Sequence, residues 1–197
     1  MQPLLNDLLT KGPLLVIITG SKRHGKDTLA NHLGYTCLKL AEPLKIVCQN
    51  LFGFSQEQME TDLKEEVDSV WGITPRAAMQ YLGTDVMQFH APVHLFNDPF
   101  NRLFWVRHMI TRINSVQGNI VISDCRFDHE VTALRDTFGK SKTLVVIKVI
   151  RPDLQIVDTH VSESGVHDDL IDIVVENNCN NVSEWTIRLN RLHHLMV

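Results

Sequence analysis

Gly20-Ser-Lys-Arg-His-Gly25-Lys26-Asp27-Thr28 is the stretch whose residue types and spacing could do chemistry most directly. It matches G-x4-G-K at every fixed position, with a buried-looking apolar run before it and a helical pattern after it. Glycines at Gly20 and Gly25 let backbone amides curl round an anion, and the N-terminus of the following helix adds a favourable dipole. Lys26 is placed to reach the β- and γ-phosphates of a bound ATP, with Lys22 and His24 in the same loop. A glycine-containing turn that binds nothing is the alternative, and it has to explain away both context and spacing.

Asp27 departs from the pattern, which has Ser or Thr there to meet Mg²⁺. A carboxylate is also a hard oxygen donor suited to magnesium, but it adds negative charge beside a triphosphate. Thr28 offers a hydroxyl about 100° further round the helix. Ile120-Val-Ile-Ser-Asp124 is an apolar strand ending in a carboxylate, the form that orients magnesium in nucleotide-binding folds. Asp27, Thr28 and Asp124 are therefore the candidate metal contacts.

No N-K-x-D element for reading guanine and no L-S-G-G-Q segment is present. Basic residues extend beyond the loop at Lys45, Lys64, Arg76, Arg126 and Arg151. Such cations suit a kinase acting on a small phosphorylated acceptor, where converging phosphates must be offset. Taken singly, each is an ordinary surface charge.

The elements that must position these residues are readable from periodicity. Short apolar runs at 14–19, 37–40, 119–123 and 143–150 fit strands buried on both faces of a parallel sheet. Apolar spacings of three and four predict helices over 43–51, from Asp98 through Ile113, over 128–138 ending at Gly139, and from an N-cap at Ser183 through Trp185, Leu189 and Leu192. That order predicts an α/β, three-layer fold with a mainly parallel central sheet flanked by helices. A helical insertion at about 43–118 is expected to cover the sheet's C-terminal edge.

With 197 residues and 44% hydrophobic content, one domain with one core is expected. A net charge of −4 gives no case for binding a nucleic acid polymer. Cys37, Cys48, Cys125 and Cys179 form no C-x-x-C pair and suit a reducing compartment. No apolar run is long enough to span a bilayer, so no membrane partner and a cytoplasmic location (the host's, for a viral chain) are expected.

The ordered motifs resemble the deoxynucleoside monophosphate kinases of phages and other viruses, in the P-loop nucleoside monophosphate kinase superfamily. Gly20 to Thr28 is similar to the family's loop with G-K-D-T. Ala41-Glu-Pro-Leu-Lys45, Thr74-Pro-Arg76 with Gln80-Tyr-Leu-Gly-Thr84, Trp105-Val106, Ser123-Asp-Cys-Arg-Phe127 with Glu130, His160-Val-Ser-Glu163 and Val175-Glu-Asn177 follow in the family's order. The resemblance implies a P-loop kinase fold with a helical insertion for the acceptor nucleotide, and magnesium with ATP as cofactor. It implies that Lys45, Arg76, Gln80, Arg126 and Glu130 surround the acceptor. Arg151 would belong to a lid at about 151–169, and Lys26, Asp124, Arg126 and Arg151 would serve transfer. A second copy of the chain is a candidate partner.

Two rivals remain open at this stage. Phosphomevalonate kinase is similar in its K-x-G-K-D loop, P-L-K element and V-I-E-N-like ending, and the segment 74–84 weighs against it. A nucleotide-binding regulatory protein without turnover is the other. The ten histidines carry no metal reading: Pro92 between His90 and His94 argues against a helical ligand pair. Phe96, Phe100, Phe104 and Trp105 are expected to be packing residues.

Overall fold

A computed structural model describes residues 14–97, 102–154 and 165–194, with side chains to 190. The chain divides into two compact units, one formed by Met1–Lys39 with His108–Val197, the other by Leu40–Arg107.

The first unit is built on a five-stranded, all-parallel sheet. Its strands are β1 (Leu14–Thr19), β2 (Thr36–Leu38), β3 (Ile120–Ile122), β4 (Thr143–Ile150) and β5 (Ile173–Glu176), in the order β2-β3-β1-β4-β5. Val16 stands between Val121 of β3 and Val145 of β4, and Ile147 pairs with Ile173. Every residue of β1 is buried, as a central parallel strand requires.

One sheet face, with Leu14, Val16, Ile18, Val145, Ile147 and Val149, packs against Leu29 and Ala30 of α1 (Lys26–Leu33) and Trp185 and Leu189 of α8 (Val182–His194). The alternate residues Leu15, Ile17, Ile120, Ile122 and Val146 are equally buried on the other face. There α7 (Asp128–Phe138), with Val131, Leu134 and Phe138 buried, packs on β4. The result is the three-layer arrangement expected from the sequence.

The second unit is helical. It contains α2 (Glu42–Phe52), α3 (Gln56–Glu60), a 3-10 turn (Asp62–Glu65), α4 (Pro75–Gln80), a π-helix (Tyr81–His90) and α5 (Ala91–His94). Helix α6 (Phe104–Asn114) carries the chain back to the first unit. Leu44, Cys48, Phe54, Met59 and Ala78 form its core, with Phe52, Met79, Leu82 and Trp105 packed around them. Local chemistry sets the starts of α3 and α4. Ser55 and Gln58 make a reciprocal capping box, and the Thr74 hydroxyl accepts from the Ala77 N–H at 3.0 Å ahead of Pro75. Gly83 lets Leu44 pack close, because a Cβ there would lie 2.5 Å from Leu44 Cδ2 and force that side chain to shift.

Several sequence expectations are corrected. Strand β5 was not foreseen: it is four residues long and only one of them is buried, so its pattern is faint. Helix α8 is capped by Asn181 rather than Ser183, with Asn181 Oδ1 accepting from the Glu184 N–H at 2.9 Å. Helix α7 does run over Asp128–Phe138 and close at Gly139 as expected, with Gly139 at φ −61°. Pro92 does not interrupt the helical path from Tyr81 to His94. The π-helix ends with Ala91 N–H bonded to Val86 O, five residues back, and Pro92 follows in the first turn of α5, where its missing N–H costs little. Among the described residues no cluster of three or more His, Cys, Asp or Glu could hold a metal, and no helix is long and apolar enough to cross a membrane.

Candidate nucleotide site

The loop from Gly20 to Lys26 joins β1 to α1 at the C-terminal end of the sheet, where ligands of open α/β sheets bind. It lines a cavity of about 140 Å³ with Asp124 and Arg126 from beyond β3, Lys148, Val149 and Ile150 from the end of β4, and Gly165 and Val166. The two fixed glycines are dictated by close approach and by dihedral angle. At Gly20, φ is +134° and a Cβ would sit 2.2 Å from Val149 O. At Gly25, φ is +100° and a Cβ would lie 2.8 Å from both Asn177 Nδ2 and Trp185 Nε1. Neither position tolerates a side chain.

Lys26 Nζ donates to Ser21 O at 2.8 Å, folding the lysine back over its own loop. Burial, and next the Arg126 charge, lower its pKa to about 8. A cation kept this close to losing its proton would be strongly favoured by an arriving polyanion. His24 Nδ1 lies 3.1 Å from Val149 O, and since a carbonyl only accepts, the proton is on Nδ1. Burial holds the His24 pKa below its ordinary value. His24 and Lys26 thus face the same cavity.

Asp27 has a partner that sequence reasoning missed. Lys39, one residue past β2, donates from Nζ to Asp27 Oδ1 at 2.9 Å, and Ser123 Oγ donates to the same oxygen at 3.3 Å. Burial opposes ionisation of Asp27, but the Lys39 hydrogen bond and the charges of Lys39 and Lys26 outweigh it and keep its pKa low. Its charge is therefore compensated by Lys39 as well as Lys26. The hard oxygens of Asp27, Ser123 and Asp124 suit magnesium, which is ordinarily held by one or two carboxylates together with substrate phosphates. Thr28 follows Asp27 in the first turn of α1.

Glu130 is buried. Its Oε2 accepts from the backbone N–H groups of Arg126 at 2.8 Å and Phe127 at 3.1 Å, fixing the turn that presents Arg126. Burial raises its pKa to about 7, against the pull of those two donors. Arg151 leaves β4 and donates from Nη2 to the carbonyls of Cys179 at 3.0 Å and Asn180 at 3.4 Å. Of the anticipated lid, residues 155–164 lie outside the described residues, including His160, Ser162 and Glu163 of its motif.

In the helical unit, Lys45 Nζ pairs with Glu60 at 2.6 Å and Arg76 Nε with Glu65 at 2.6 Å, while Gln80 ends α4. The sequence contained no signal for these acidic partners beyond their presence nearby. Trp105, from the W-V pair, donates to Gly83 O at 2.7 Å, which ties α6 to the Gly83 turn.

A glycine loop between a buried parallel strand and a helix, with a half-buried lysine and an aspartate just past a strand end beside it, defines a P-loop nucleotide-binding protein. The model of the deoxynucleotide monophosphate kinase family matches residues 49–186. The chain is 33% identical to a "Putative deoxynucleotide monophosphate kinase" of Acanthamoeba polyphaga mimivirus, over 84% of this chain and 89% of that protein. It is 31% identical to the deoxynucleotide monophosphate kinase of Enterobacteria phage T4, over 59% of this chain and 44% of that protein. For the enzyme of Escherichia phage RB69 the figures are 30%, 58% and 43%. The matched regions thus span under half the length of the two phage relatives. The chain belongs to the deoxynucleotide monophosphate kinase family.

Proposed function

We propose that this chain transfers the γ-phosphoryl group of ATP to the phosphate of a deoxynucleoside monophosphate. The observation that carries this reading is one cavity lined by Gly20, His24, Lys26, Asp124 and Arg126 in a member of a nucleotide kinase family. An oxygen of the acceptor phosphate attacks the γ-phosphorus in line. The bond to the β–γ bridging oxygen breaks, ADP departs, and the acceptor leaves as the diphosphate. No covalent intermediate on the enzyme is required.

Lys26 and Arg126 neutralise the oxygens of the transferring group, and Lys22, His24 and the loop amides hold the donor's phosphates. Asp27, Thr28 and Asp124 are the residues assigned to magnesium, which when bound with ATP draws charge from the phosphate oxygens. Lys45, Arg76 and Gln80 are assigned to the acceptor, arginine being suited to grip its phosphate with two parallel hydrogen bonds. Glu130 serves that end through Arg126, by fixing its backbone. Arg151 and the segment 151–169 are assigned to a lid that excludes water from the transferring group. In domain terms, 13–42 with 119–197 is the core and 43–118 the acceptor-binding insertion. A cytoplasmic setting (the host's, if the chain is viral) and assembly with a second copy complete the proposal.

The test is ADP release from Mg·ATP with each deoxynucleoside monophosphate, each ribonucleoside monophosphate and phosphomevalonate offered separately. Release stimulated by at least one deoxynucleoside monophosphate and not by phosphomevalonate is the expected result. Stimulation by phosphomevalonate alone would overturn the acceptor assignment, and ATP binding with no stimulation at all would overturn turnover.

A further inference from the structure

Two side chains far along the chain grip consecutive carbonyls of the phosphate loop. Asn177 Nδ2 donates to His24 O at 3.0 Å, and Trp185 Nε1 donates to Gly25 O at 3.3 Å. Both are buried, Asn177 to 4% exposure and Trp185 to 1%, so neither is placed to touch a nucleotide itself. Their effect must pass through the backbone they hold.

That effect follows from peptide geometry. In a planar trans peptide the C=O and the next N–H point in opposite directions. Holding His24 O toward Asn177 turns the Gly25 N–H the other way, and Gly25 O, shared between Trp185 and the Leu29 N–H of α1 at 3.1 Å, does the same for the Lys26 N–H. These are amides of the kind that cradle an anion at a helix N-terminus. The loop is held on a third point by His24 Nδ1 on Val149 O.

The grip is itself rigid. The Asn177 main-chain N–H donates to Ile150 O at 2.8 Å, and its Oδ1 accepts from the Cys179 N–H at 3.3 Å, which fixes which end of the amide faces His24. Trp185 sits in the core between α1, α8 and the sheet. Gly25 leaves room for both donors, since any Cβ would collide with them.

We propose that Asn177 and Trp185 are positioning residues of the phosphate loop, aiming the Gly25 and Lys26 amides at the phosphates of the nucleotide donor. The inference rests on reading that loop as the donor site. It assigns to the residue just past β5 and to α8, which carry no charged group of the loop, control over donor affinity.

The experiment uses the full chain labelled with nitrogen-15 and tripolyphosphate as the probe. The Trp185 indole and Asn177 side-chain amide signals are identified by Trp185→Phe and Asn177→Asp, the second nearly isosteric. In the wild type, both signals should shift along one saturation curve with tripolyphosphate. In folded variants, tripolyphosphate affinity should fall and the KM for ATP rise roughly tenfold, with the KM for the acceptor unchanged. Unshifted signals at saturation, or variants with wild-type tripolyphosphate affinity, would overturn the inference. If Trp185→Phe does not fold, Asn177→Asp and the wild-type Asn177 signal decide it. A wild type that shows the shifts yet phosphorylates no deoxynucleoside monophosphate would support the inference while removing the proposed function.

Discussion

Lys39 Nζ lies 2.9 Å from Asp27 Oδ1, so the one acidic residue in the phosphate loop region has its own cation. The pair joins the end of β2 to the first turn of α1 and leaves 37% of the lysine side chain and 69% of the aspartate exposed. Exposed pairs of this kind contribute only about 0–1 kcal/mol to stability. Its consequence is electrostatic and local, and on the proposed reading it falls on the donor.

Lys39→Ala should therefore leave the melting temperature nearly unchanged while raising the KM for ATP several-fold, roughly what an uncompensated charge beside a triphosphate costs at intermediate dielectric. Asp27→Asn in the same background removes the offending charge and should recover part of the loss. Steady-state kinetics over a magnesium titration check both, together with Asp27→Ser. If neither Asp27→Ser nor Asp27→Asn alters the magnesium dependence, Asp27 is not the metal's partner.

Lys26 has a pKa lowered from 10.5 to about 8. kcat/KM for ATP, which reports ionisations of the free enzyme, should fall as pH rises through about 8. For stability the sign is opposite. The charged lysine disfavours the fold below about pH 8, and the penalty is relieved between about 8 and 10.5, where the unfolded chain binds the extra proton. Lys26→Met should lose transfer by roughly a hundredfold or more. Its melting temperature should be no lower than wild type at pH 7, with any advantage shrinking toward pH 10. Near-normal turnover in Lys26→Met would mean the loop has been misread.

Glu130 separates a structural requirement from a charge. Its pKa is raised from 4.5 to about 7, so its favourable protonated state is lost as pH rises from about 4.5 through 7. Glu130→Gln keeps an acceptor for the Arg126 and Phe127 amides and should flatten that pH dependence with activity retained. Glu130→Ala strands two buried donors and should cost roughly 1–3 kcal/mol. Chemical denaturation across pH compares them.

Arg76 is held by Glu65 at 2.6 Å in the helical unit. If it grips the acceptor phosphate, Arg76→Lys should raise the KM for the deoxynucleoside monophosphate about tenfold or more, with the KM for ATP unchanged. An equal effect on both substrates would argue for a general folding defect instead.

What was legible in the sequence is what leaves a local pattern along the chain. β1, β4 and α7 occupy the spans that apolar periodicity marked, because both sheet faces and one helix face are buried. The glycine loop was legible for the same reason. Strand β5 was not, since only Ile173 is buried and edge strands carry little pattern. The π-helix was hidden because widening a helix to admit five-residue spacing leaves no compositional mark.

The supports of the loop are a different matter. Asn177 and Trp185 meet His24 and Gly25 across 153 and 160 residues, and Lys39 meets Asp27 only because β2 lies beside β3 at the loop's end of the sheet. Those contacts are products of strand order. Asn177 did stand in a motif carried by resemblance, but its partner carbonyl could not be read from letters. Lys45 and Arg76, the cations proposed for the acceptor, were visible by type, their pairing with Glu60 and Glu65 only in three dimensions.

The central claim is transfer from ATP to a deoxynucleoside monophosphate. The most direct measurement follows label from γ-labelled ATP into the products of a reaction containing a deoxynucleoside monophosphate. Label appearing in the deoxynucleoside diphosphate, with none in free phosphate beyond a trace, is the expected result. Label released only as inorganic phosphate, or retained in ATP, across all four common deoxynucleoside monophosphates would contradict the account.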